Sequence, residues 1–142
     1  MLDSMNNMHP VPLIAPIAAR TDNTAIVSAI IDTLGYRSCT LVLVTGTNTD
    51  TNATFAVLVE DGDDSGLSDH AAVDDSELIG TEALAGFTFA DDVECRKIGY
   101  IGHKRYVRMT VTPSGNDSGN IFLAGVAVLG HPHQVPTANP PQ

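Results

Sequence analysis

Three short stretches of the chain bring chemistry-bearing residues close together. The first is "DGDDSG" at residues 61–66. Asp61, Asp63, Ser65 and Gly66 match positions one, three, five and six of a helix–loop–helix calcium loop. Position twelve of such a loop supplies a bidentate Glu, and here it is Ala72. The stretch also follows a strand-like run, not a helix. Asp61, Asp63 and Ser65 stand as calcium candidates, but an acidic surface turn explains the same residues and no metal is assigned. The second stretch, "GHPH", sets His131 and His133 two residues apart. On extended backbone they could share a metal, yet no third ligand lies at a suitable spacing.

The third stretch is "KIGYIGHKRYVRMTV", Lys97–Val111. It holds Lys104, Arg105 and Arg108 beside Tyr100 and Tyr106. One reading is a nucleic-acid platform, in which tyrosines stack bases and arginines track phosphates. Another is internal: the cations offset acidic residues elsewhere in the fold through surface ion pairs of about 0–1 kcal/mol each. A third is protein docking, because Arg and Tyr give large contact area and directional hydrogen bonds. Nucleophilic chemistry finds no support. There is no G-x-S-x-G elbow, Walker loop or dinucleotide fingerprint, and the serines sit in turns. The chain therefore reads as non-enzymatic and without a cofactor.

Charge bears on these readings. The chain has 142 residues and a formal net charge of −10. No Lys or Arg occurs between Arg37 and Arg96, and thirteen acidic residues fill that interval. So acidic a protein is a poor general nucleic-acid binder, since phosphate contact needs a net basic face. Its lopsided charge suits a protein partner with complementary patches. Cys39 and Cys95 have no metal or redox spacing and read as buried free thiols. The first twenty residues lack a basic segment before an apolar core, so neither a signal peptide nor a membrane span is read there.

The elements that must carry these residues read as strands. Val107, Met109 and Val111 alternate with Tyr106, Arg108 and Thr110, the period of a half-buried antiparallel strand. Phe55, Val57 and Val59 share one face of Thr54–Asp61. That run follows Ser38–Gly46 across a Thr/Asn/Asp-rich loop, and the pair reads as a hairpin. Gly102, His103 and Lys104 read as the turn of a second, basic hairpin. Ala25–Asp32 is a further strand candidate, and "DDSELIGTEAL" a short helical turn. "IFLAGVAVLG" (Ile121–Gly130) is apolar on both faces, as a strand covered on each side is. The prediction is an all-β, antiparallel β-sandwich of jelly-roll type over residues 21–130, with an acidic insertion at 61–94. Residues 1–20, with Pro10, Pro12 and Pro16, read as an extended N-terminal arm. Residues 131–142 read as a Pro-rich C-terminal tail.

"IGYIGHKRYVRMTVTPSGN" followed by "AGVAVLGHPHQVP" resembles the capsid cement, or head decoration, proteins of tailed bacteriophages. The likeness runs from Thr24 to about Pro136, and its distinctive part is Gly102–Arg108. It implies a jelly-roll-like virion protein made in the bacterial cytoplasm and placed on the capsid exterior. There it would bind across major capsid protein subunits as a homodimer or small homo-oligomer, with neither nucleic acid nor membrane as partner. On that footing Lys104, Arg105, Tyr106 and Arg108, with Pro10, Pro12 and Pro16 of the arm, are the expected partner-binding residues. Two further roles stay open: a carbohydrate- or calcium-binding module on the virion surface, and a head–tail connector or tail component.

Overall fold

Valine is the commonest residue of the strands, and with threonine and isoleucine it supplies β-branched side chains that pack well on a pleated surface. A computed structural model describes residues 2–141. Its strands are β1 (Met8–Ile14), β2 (Ile26–Val27), β3 (Ile31–Asp32), β4 (Ser38–Thr45), β5 (Thr54–Gly62), β6 (Ala71–Ala72), β7 (Leu78–Ile79), β8 (Phe87–Thr88), β9 (Cys95–Tyr100), β10 (Tyr106–Ser114) and β11 (Leu123–Gly130). A one-turn helix, α1, covers Glu82–Ala85, and a 3-10 turn covers Asp75–Glu77.

The strands form two antiparallel sheets. The first runs β1-β11-β4-β9-β7, and the second β2-β10-β5-β6, with β3 also on β10 and β8 also on β5. The pairings nest like brackets. β1 pairs β11, β2 and β3 pair β10, β4 pairs β9, and β5 pairs β6 and β8. This is the jelly-roll arrangement, an all-β antiparallel sandwich. Alternate residues of each strand face the shared core, where Leu41, Leu43, Phe55, Ile98, Val107, Met109 and Leu123 are almost wholly buried. Phe55 stacks on Phe87 with ring centroids 4.6 Å apart. Each such side chain contributes about 1.5–3 kcal/mol by leaving water.

Both expected hairpins are instead crossings between sheets. β4 lies in the first sheet and β5 in the second; β9 and β10 divide the same way. Each crossing is held by a carboxylate. In the 46–53 loop, Asp50 is 2 % exposed. It accepts the backbone N–H of Ser118 at 2.9 Å, of Asp117 at 3.1 Å and of Asn52 at 3.2 Å, and the Ser118 hydroxyl at 3.1 Å. These donors, Ser118 N–H foremost, hold the Asp50 carboxyl below its ordinary range. Gly119 passes so close to the Thr49–Asp50 backbone that no side chain fits there. In the 101–105 crossing, the Tyr100 hydroxyl donates to Asp61 at 2.7 Å and accepts the Lys104 N–H at 3.0 Å. Burial first, then Asp61, push the Tyr100 phenol well above its usual value.

The ends also depart from expectation. Met8–Ile14 is not an arm but the edge strand of the first sheet. Proline has no N–H, so Pro10 and Pro12 fit only where the nitrogen points away from β11, and they leave that free edge without two donors. The tail folds back: Thr137 N–H donates to Asn6 O at 3.0 Å, and its hydroxyl to Met8 O at 2.6 Å. Ala25–Asp32 is split into β2 and β3 because the Ser28 hydroxyl, not a backbone carbonyl, accepts the Met109 N–H at 2.9 Å. The 61–94 insertion is folded and supplies β6, β7 and β8 to the sheet edges. Cys39 is buried, its thiol pushed up to about 12 by burial, but Cys95 points outward and is exposed.

Candidate docking surface

The residues named from sequence are engaged within the chain. The Arg105 guanidinium makes two hydrogen bonds to Asp32, at 2.9 and 2.7 Å, and lies 5.0 Å over the Tyr106 ring. Lys104 pairs with Asp63. Arg108 Nε donates to Glu60 at 2.8 Å, and Glu60 also meets His70 at 2.9 Å. Arg108, ahead of every other neighbour, holds Glu60 below the usual carboxylate range. Arg105 does the same for Asp32. Arg96 bonds Asp91 and Glu94 at 2.8 Å each, so four of the five cations of the 96–108 stretch are neutralised at home.

The candidate metal positions diverge. Asp61 turns inward to Tyr100, Asp63 outward to Lys104, and Ser65 is exposed. The loop's other carboxylates cap their own turn: Asp64 accepts the Gly66 and Ser68 N–H groups, and Asp69 those of Asp63 and Asp64. No group of three metal-ligating residues occurs among the described residues. His131 Nδ1 lies 3.1 Å from the Ser38 hydroxyl, whereas His133 is exposed and meets the chain through its backbone N–H. Tyr100 is buried and cannot stack a base.

Sequence reasoning passed over a different surface, the outer face of the first sheet. Register sets its rows. Pro12, Val126, Val42 and Lys97 lie side by side across β1, β11, β4 and β9. The next row is Pro10, Val128, Thr40, Gly99 and Ile79. A third holds Ala124, Val44 and Cys95, and Phe122 extends the β11 line. Val126 is 37 % exposed, Val44 43 %, Phe122 53 % and Ile79 62 %. An apolar groove of about 350 Å³ lies at its β1–β11 end, with Pro10, Pro12, Pro16, Ala124 and Val126 among its walls. The expectation that β11 is covered on both faces is corrected: the fold covers one side only. The signal was present in "IFLAGVAVLG", whose outward residues are as apolar as its inward ones. Lys97 is the one charge in these rows, and it takes part in none of the ion pairs among the described residues.

No family model and no curated protein matches the chain. Solved structures share its architecture. The PBSX exported protein XepA matches 85 % of the chain at 13 % identity and a TM-score of 0.50, and the chain spans 36 % of XepA's length. The SPBc2 prophage-derived protein YomS matches 90 % of this chain and 98 % of its own at 11 % identity, TM-score 0.41. The xylan-binding module CBM15 matches 94 % and 96 % at 10 % identity, TM-score 0.43. At 13 % identity the XepA likeness speaks to the fold alone. No helix among the described residues is long and apolar enough to cross a membrane.

Proposed function

We propose that the chain is a non-enzymatic virion structural protein, a cement or decoration subunit that adheres to the major capsid protein on the outside of a tailed-phage head. One observation carries this reading: the sandwich leaves a wide sheet face uncovered, with Lys97 its one charge, while Arg96, Lys104, Arg105 and Arg108 pair within the chain. Contiguous apolar surface of that extent marks a protein contact. The sequence resemblance over Thr24–Pro136 supplies the kind of partner. A repeating shell also suits the physics, because each modest contact is multiplied over many equivalent sites. A stiff β-sandwich loses little conformational entropy when it docks.

The test is direct. Purified protein is added to expanded heads that lack it, and the heads are then sedimented and heated. Co-sedimentation with a raised temperature of head disruption supports the role. Heads that neither bind the protein nor gain heat resistance would refute it.

A further inference from the structure

We infer that the outer face of the β1-β11-β4-β9-β7 sheet is the docking surface, and that its occupant is a different protein: a flat apolar surface of the capsid lattice bearing a carboxylate that meets Lys97. The identity of that partner rests on the function proposed above. The assignment of the face rests on geometry, area and charge.

Geometry excludes the sheet edges. At one edge Pro10 and Pro12 deprive β1 of outward N–H donors, and at the other β7 is two residues long. In the second sheet, β2, β3, β6 and β8 are also two residues each. Strand addition by a partner therefore has no long ladder to extend, and contact falls to a face. On the outer face of the second sheet the Arg108–Glu60–His70 cluster fills one end, and the exposed apolar row beside it is short, Val27 and Leu58 flanking Thr110.

Area and charge choose between a second copy and another protein. Four strands with about three outward residues each, and Ile79 of β7, outline roughly 400 Å², from strand spacing and rise. A stable, self-standing dimer hides about 800 Å² per partner. The face is thus too small to hold two copies together alone, and well sized for a contact repeated over a lattice. Two chains of net charge −10 repel. Face to face, they would also leave each Lys97 without a carboxylate, because these rows hold none. A partner with an acidic group at that point answers the charge and excludes a wrong register.

The experiment measures binding of the full-length protein to expanded heads lacking it, by co-sedimentation at two salt concentrations, with native mass spectrometry of the free protein. Val126→Glu is expected to weaken binding at least 100-fold. Lys97→Glu is expected to weaken it about tenfold and to abolish the salt dependence of the wild type. Arg105→Glu is expected to change it less than twofold. Should Val126→Glu fail to fold, Thr40→Arg, central on the same face, replaces it. Loss of binding by these face variants, with unchanged circular dichroism, supports the inference. Face variants that bind like the wild type overturn it and leave the cement role standing. Lys97→Glu that binds like the wild type overturns the carboxylate pairing. A wild-type dimer split by Val126→Glu assigns the face to a second copy and overturns the choice of occupant. Wild-type protein that does not bind heads overturns the inference and the cement role together.

Discussion

On the outer face of the second sheet, Arg108 reaches across the ladder to Glu60, His70 closes on the same carboxylate, and Thr110 adds its hydroxyl at 3.3 Å. On the first sheet's outer face, the equivalent central positions hold Val126 and Val42, with nothing above them. The two faces belong to one sandwich and share one core, so the contrast is not one of stability. A polar face whose groups already bond one another has little to gain from a partner, since docking would exchange good hydrogen bonds for others. An apolar face gains by any cover that removes water. In this chain, the side that looks reactive is the side that is finished.

Acid offers the largest test, because it acts on Asp50 at the β4–β5 crossing and on Glu60 of the second face and finds no carboxylate in the rows of the first. Asp50, Glu60, Asp64, Asp69 and Asp91 all have folded pKa values depressed by hydrogen-bond donors or cations. Their stabilisation is complete above the unfolded value, near 4, and is lost as pH falls through the lower folded values. The thermal midpoint is expected to be nearly level from pH 7 to 5 and to drop steeply below about pH 4. A level midpoint down to pH 2.5 would break the account of that crossing. Phe55→Ala, on the inner side of the second sheet, is expected to cost about 3–5 kcal/mol in urea unfolding. Val126→Ala, on the outer side of the first, is expected to stay within about 0.5 kcal/mol. Arg108→Ala leaves Glu60 short of its principal donor and is expected to cost about 1–3 kcal/mol without weakening attachment to heads. Arg105→Ala removes an exposed, solvent-screened pair and is expected to leave the urea midpoint close to that of the wild type.

Much of the fold was legible. Val107, Met109 and Val111 face the core as their alternation required, and Phe55, Val57 and Val59 do likewise. The partners of strands were less legible. A Gly- and Asn-rich loop looks alike whether the chain turns within a sheet or passes to the other one. The distinction lies in Asp50, whose donors come from residues 117 and 118, far along the chain. β1 was hidden by its prolines, although their i, i+2 spacing is what a one-sided edge strand permits. The internal partners of the basic stretch were illegible for a related reason. Arg105 and Arg108 find Asp32 and Glu60 across 73 and 48 residues, and local sequence carries no trace of such pairs. The apolar face was visible as a two-sided run, but sequence cannot tell a strand buried by its own chain from one awaiting a neighbour.

The bracket-like pairing has a consequence for biosynthesis. β4 takes its place beside β11, and β1 has no other neighbour than β11. A nascent chain leaving the ribosome N-terminus first must therefore keep "HPVPLI" unzipped until residues 123–130 emerge, and "TLVLV" until β9 emerges. Long-range closure of this kind is slow, and the waiting segments are the ones most prone to stick to other chains. Holding chaperones of the cell that makes it are then expected to be among the first surfaces this polypeptide meets. Its yield should respond to translation speed and growth temperature more than to any single substitution on the outside of the sandwich.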